Sequence, residues 1–128
     1  MAEKPKRGVV KETAEPDAPT DAQLRAIVRV ADAIVMRGGR ALLARILKGS
    51  TAREVRAAGW HGLAAYGALR GLTLAAVEAR IDWAIRSGYL QIESHTGRPL
   101  VCLGPAGWEL DRAIYVEEIL ADFRRVLL

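Results

Sequence analysis

Between Gly39 and Gly107 the helix and strand patterns follow one another in a single order, and that order limits the fold more than any other feature of the chain. Residues 40–48 place Leu42, Leu43, Ile46 and Leu47 on one side of a helix that Gly49 stops. A second short helix follows, capped by Thr51 with Glu54 as its capping-box partner. After a loop, a third helix runs from a Thr73 cap to Ser87, with Leu74, Val77, Ile81, Ala84 and Ile85 as its buried stripe. Gly88 closes it. Tyr89 to Glu93 then alternates as a strand does, Ser94 to Arg98 forms a turn, and Leu100 to Leu103 returns.

Three helices and a hairpin within about seventy residues are the layout of a winged helix, a module that most often contacts nucleic acid. The expected fold is therefore mainly α with a small β-hairpin: a three-helix core plus a two-stranded wing, flanked by an N-terminal and a long C-terminal helix. The core spans 39–105, the flanking helices 20–37 and 106–127, and the whole domain 20–128. Residues 1–19 hold three of the five prolines and alternate in charge, which predicts a disordered tail. The first flanking helix starts at Thr20, capped with Gln23, and carries Leu24, Ile27, Val28, Ala31, Ile34 and Val35 as an apolar stripe up to Gly38-Gly39. In the last helix Trp108, Leu110 and Ile114 can serve the core. Val116, Leu120, Phe123 and Leu127 continue at seam spacing beyond it and predict pairing, in a homodimer or with the first helix.

The same region resembles one family, the RecQ C-terminal (RQC) domain that follows the motor of RecQ-type helicases. The positions that carry the resemblance are Gly39, Ile46-Leu47-Lys48-Gly49-Ser50, Tyr66-Gly67 with Arg70, and Ile85-Arg86-Ser87-Gly88-Tyr89-Leu90. They imply a small stand-alone RQC-like protein without the helicase motor, gripping duplex DNA through its backbone, with roles in DNA repair or replication. In that family the positions matching Lys48-Gly49-Ser50 contact the DNA backbone. The wing tip can carry an aromatic ring that stacks on the terminal base pair; here it holds His95, which implies backbone contact through His95 and Arg98 in place of strand separation.

The net charge of +4 is modest, but its distribution is uneven. Residues 21–60 hold eight bases against Asp21, Asp32 and Glu54, a local excess of +5 on the helices that open the module. Clustered cations release counterions from phosphate, the sequence-independent part of nucleic-acid affinity. Arg45 and Lys48 share one helix face, and Ser50, Thr51 and Arg53 lie at the next helix start, whose free N–H groups suit a phosphate oxygen. The expected contacts are Arg40, Arg45, Lys48, Ser50, Thr51, Arg53, Arg70, His95 and Arg98. The third helix, the usual major-groove reader, has no Asn, Gln or Lys, balances Glu78 and Asp82 against Arg80 and Arg86, and is rich in alanine.

Other classes find little in the residues. No GxxxxGK followed by Ser or Thr is present, so the chain is no helicase by itself, and no nucleophile elbow occurs. His61, His95 and the lone Cys102 make no ordinary zinc set, and no cofactor is expected. No apolar run reaches the 18 to 20 residues a membrane span needs, and the first twenty residues have no signal-peptide core. The expectation is a soluble, cytoplasmic, non-catalytic binder of DNA ends, forks or duplex backbone, nucleoid-associated if bacterial, with a separate helicase or repair enzyme as a further partner. Two rival classes are a dimeric winged-helix regulator of the MarR or PadR kind and a winged helix that binds protein.

Overall fold

A computed structural model describes residues 16–127. The predicted tail lies almost wholly outside them. The elements are α1 (Asp21–Ala33), α2 (Arg40–Lys48), α3 (Arg53–Ala57), a single 3₁₀ turn (Trp60–Gly62), α4 (Leu74–Arg86), β1 (Leu90–His95), β2 (Arg98–Leu103) and α5 (Pro105–Leu127). This is the mainly helical architecture with a two-stranded antiparallel hairpin and a long C-terminal helix that the sequence predicts.

Local chemistry explains most boundaries. Thr20 caps α1 in a full capping box, its hydroxyl accepting from Gln23 N–H while the Gln23 side-chain Oε1 accepts from Thr20 N–H. Thr73 caps α4 by accepting from Ala76 N–H at 3.1 Å. Gly49 ends α2 in the left-handed region at φ +85°, where a side chain would be strained.

Three expectations are corrected. The first helix stops at Ala33, short of Arg37. Met36 turns the chain at φ +59°, and its N–H donates to the Val101 carbonyl while Val101 N–H donates to Gly38. Residues 36–38 thereby cover the free edge of β2, an interaction that competes with further helix. The wing is also longer and its turn tighter than predicted. Strand pairing runs from Leu90↔Leu103 to His95↔Arg98, leaving only Thr96 and Gly97, both at positive φ, as the loop. Finally, Leu74 and Trp108 do not enter the core: they are 46% and 55% exposed. Leu74 is the first residue of α4, and Trp108 lies off the α5 face on which Gly107, Asp111 and Ile114 are buried.

The core lies where α1, α2, α4 and β2 meet. Ile27, Ile34, Leu43, Ile46, Leu47, Val55, Val77, Ile81 and Val101 are all essentially inaccessible, each worth about 1.5 to 3 kcal/mol of burial. The first flanking helix is thus as much core as the three helices it precedes. The C-terminal helix docks on α1 through its first half. Ile114 is buried, and Arg29 meets Asp111 and Glu118, while Arg25 meets Glu117. Glycine makes one junction possible: a Cβ on Gly107 would lie 2.0 Å from the Tyr89 carbonyl oxygen, so α5 crosses the start of the wing at backbone contact.

Candidate nucleic-acid interface

Of the residues that carry the resemblance, those scattered over 46–70 in sequence meet at the C-terminal end of α2. Gly67 N–H donates to the Ile46 carbonyl and Leu69 N–H to that of Leu47, both at 2.9 Å. The 63–72 loop is thereby stitched onto the last carbonyls of α2, of which that of Ile46 also accepts from Gly49 N–H at 3.1 Å. The Tyr66 hydroxyl shares its proton between the Gly49 and Ser50 carbonyls, at 2.9 and 2.8 Å. Lys48 Nζ donates to the Arg70 carbonyl at 2.8 Å, and Arg70 Nε donates to Gly67 at 3.1 Å. The Arg70 guanidinium lies against Gly67, where even a methyl group would collide with it. Lys48, Ser50 and Arg70 therefore form one cationic corner, with Tyr66 as the peg that holds it.

The next helix departs from expectation. It begins at Arg53, with Ala52 as N-cap and no side-chain cap. Ser50 Oγ instead accepts from Ala52 N–H at 3.1 Å, bending the chain between the two helices. Thr51 is exposed and caps nothing, and Glu54 forms an ion pair with Arg45 where a capping box had been expected. A carboxylate that close to a guanidinium is more stable than one facing a backbone N–H alone. With only five residues, α3 has little dipole to offer. The positive charge here is carried by side chains, not by a helix end.

Several expected cations are already engaged. Arg40 grips Asp82 on α4 with two hydrogen bonds, Nε–Oδ1 at 2.6 Å and Nη2–Oδ2 at 2.8 Å. The pair holds the Asp82 carboxyl below its usual range and raises Arg40 further. Arg40 thus ties α2 to α4. Arg45 is held by Glu54. Arg53 is exposed and has no hydrogen bond or ion pair among the described residues, and the same holds for Arg56, one turn further along α3. Sequence reading passed over Arg56, although its spacing of three from Arg53 places both on one helix face. It also passed over Tyr66 as a positioning residue; the signal was an aromatic hydroxyl next to a glycine in a loop.

The α4 helix offers little to a groove. Arg80 Nε donates to Gln23 Oε1 of α1 at 3.3 Å, and its Nη1 to the Ala76 carbonyl at 3.2 Å. Asp82 is taken by Arg40 and not by its own helix, and Trp83 stacks on Tyr89 with centroids 6.0 Å apart. Of the charged side chains of α4, Glu78, Arg80 and Asp82 hold the domain together, and Arg86 alone is exposed and unpaired among the described residues. At the far end of the hairpin, His95 and Arg98 face each other across the strands and are both exposed. The two positions form a separate polar tip, joined by no contact to the cationic corner among the described residues.

Three helices, a hairpin and a cationic corner together make a winged-helix module. The chain matches the family described as the RQC domain over residues 14–117, and it belongs to that family. The match takes in α1 and the first half of α5 as well as the winged core, and it makes the chain, at the level of its family, a non-catalytic DNA-binding domain. No curated protein matches the chain. Among the described residues no helix is long and apolar enough to cross a membrane.

Proposed function

We propose that this protein binds the sugar-phosphate backbone of DNA at ends or forks, with little sequence preference, in DNA repair or replication. The observation that carries the reading is the cationic corner: Lys48, Ser50 and Arg70 packed by Tyr66 at the end of α2, with Arg53 and Arg56 exposed on the adjoining helix. Three to five cations on one surface suit a phosphate run, and side chains that carry no base-reading geometry position a duplex without selecting its sequence. Thr51 adds a hydroxyl beside them, and His95 with Arg98 gives a second backbone contact from the wing tip. Arg40 and Arg45 act one step back: their ion pairs hold α2, α3 and α4 in place, and they add to the local potential. The regulator reading is disfavoured by α4, whose Arg80, Glu78 and Asp82 are engaged within the domain and which leaves only Arg86 exposed and unpaired among the described residues. A separate helicase or repair enzyme working beside this module, at the nucleoid of a bacterial cell, fits a family that otherwise follows a motor.

A salt titration tests this. Affinity should fall steeply as salt rises, with a log–log slope of roughly −2.7 to −4.5 for three to five phosphates neutralised. Blunt and forked duplexes of unrelated sequence should bind alike and better than single strands or double-stranded RNA. A slope near zero, or strong preference for one duplex sequence, defeats the proposal.

A further inference from the structure

The second half of α5 leaves the domain with an uncovered apolar face. Val116, Ile119, Leu120, Phe123, Val126 and Leu127 are each about half exposed or more, Phe123 at 59%. The family match ends at residue 117, so this face lies almost wholly on the part of the helix outside it. The helix itself is well anchored up to that point, by Ile114 in the core and by the Arg25 and Arg29 ion pairs to Glu117 and Glu118. A helix prolonged from a docked segment needs no new nucleus, so the projecting turns are held ready for a partner.

We infer that the occupant of this face is the same face of a second copy, packed antiparallel. Val116, Leu120, Phe123 and Leu127 recur at alternating spacings of four and three, the a and d positions of a seam. Antiparallel packing sets Val116 level with Leu127 of the second copy, and Leu120 level with Phe123 of the second copy, so each layer joins an a to a d position. The flanking positions then agree with this register on both sides. On one edge Glu117 lies beside Arg124 of the second copy; on the other, Ile119 lies beside Val126 of the second copy. Opposite charges meet on one edge and apolar side chains on the other, and the two-fold axis repeats each pair. A parallel seam would put Ile119 beside Arg124 of the second copy, an aliphatic chain beside a charge. The seam covers twelve residues, about 18 Å of helix, which makes it a small interface of moderate affinity. In this arrangement the two winged helices stand at opposite ends of the paired helices, each with its cationic corner.

The test uses the full chain without DNA, so its outcome is independent of the nucleic-acid reading. Sedimentation velocity from about 1 to 200 μM should show a monomer–dimer equilibrium with a micromolar constant. Phe123→Asp and Leu120→Asp should each weaken it at least about tenfold while leaving the melting temperature of the domain unchanged. The register is read by oxidation in a Cys102→Ser background. An equimolar mixture of Ile119→Cys and Val126→Cys chains should crosslink between the two, and each variant in isolation should crosslink to itself weakly or not at all. Three results overturn the inference: a folded monomer across the whole range, a dimer that Phe123→Asp leaves intact, or efficient crosslinking of Val126→Cys to itself.

Discussion

Lys48 and Arg53 differ in what they do, although both are bases on the same surface. Lys48 is half held by the Arg70 carbonyl, whereas Arg53 has no protein partner among the described residues. Changing both to alanine should weaken duplex binding at least tenfold, a loss of about 1.4 kcal/mol, equally for every duplex sequence. Changing Arg80 and Arg86 should matter less, because Arg80 is already spent on Gln23 and Ala76. Fluorescence anisotropy on two unrelated duplexes separates these outcomes, and a larger effect from the Arg80/Arg86 pair would return the regulator reading. Tyr66→Phe removes only a hydroxyl, yet that hydroxyl serves two carbonyls at the α2 end. Its loss should cost about 0.5 to 1.5 kcal/mol of stability and weaken DNA binding through the displaced corner, both measurable on one preparation. Asp32 provides a test by pH. Burial raises its carboxyl above the ordinary value, and the neighbouring Asp111 adds to the shift. A carboxyl whose folded value is raised favours folding only when protonated, so that contribution is present below the unfolded value and is lost as pH rises through the folded one. Asp32→Asn should therefore raise the melting temperature at neutral pH, with the gain shrinking to nothing on acidification. A gain that grows in acid would contradict the assignment.

At the level of elements, two junctions decide how the pieces meet. The wing turns through Thr96 at φ +49° and Gly97 at φ +80°, a two-residue loop that wants Asn or Gly at its first position. A β-branched residue there is strained, at a cost of roughly 1 kcal/mol or more. Thr96→Asn should raise stability by about that amount in urea melts without altering the strand register; a neutral or destabilising result would mean that the Thr96 hydroxyl bond to the His95 carbonyl matters more than the backbone strain. The other junction is Gly107 against Tyr89. Adding a methyl group there forces the backbones of α5 and the wing start apart, since the obstacle is a carbonyl and not a flexible side chain. Gly107→Ala should cost about 1 to 3 kcal/mol. Of these two features the sequence advertised the hairpin, through Thr-Gly between alternating strands, but not the crossing. Gly107 sits inside a helical pattern, where a glycine signals nothing until the neighbouring chain is in place.

For the whole molecule, the charge distribution and the apolar end of α5 point in different directions, one toward phosphate and one toward a second copy. If the copies pair antiparallel and the corner grips phosphate as proposed, each dimer carries two such corners and can hold two duplexes at once. A labelled duplex should then be retained on immobilised unlabelled duplex by the wild-type protein. Phe123→Asp should abolish that bridging while changing affinity for a single duplex by no more than about threefold. Periodicity, caps and glycines were enough to read the order of helices and strands and the α2 and α4 boundaries, because these depend on interactions within three or four residues; the family was legible only as a resemblance carried by residues such as Lys48-Gly49-Ser50 and Ser87-Gly88-Tyr89-Leu90. The same local signals misplaced the cap of α3 and the end of the first helix, where Arg45 and the edge of β2 compete for groups that the sequence assigns to a neighbour. Which cations remain available was decided only by the tertiary structure. Asp82 removes Arg40, Glu54 removes Arg45 and Gln23 restrains Arg80, each across helices 9 to 57 residues apart in the chain. An ion pair needs only that two side chains meet in space, and sequence spacing carries no record of such a meeting once it spans more than a helical turn.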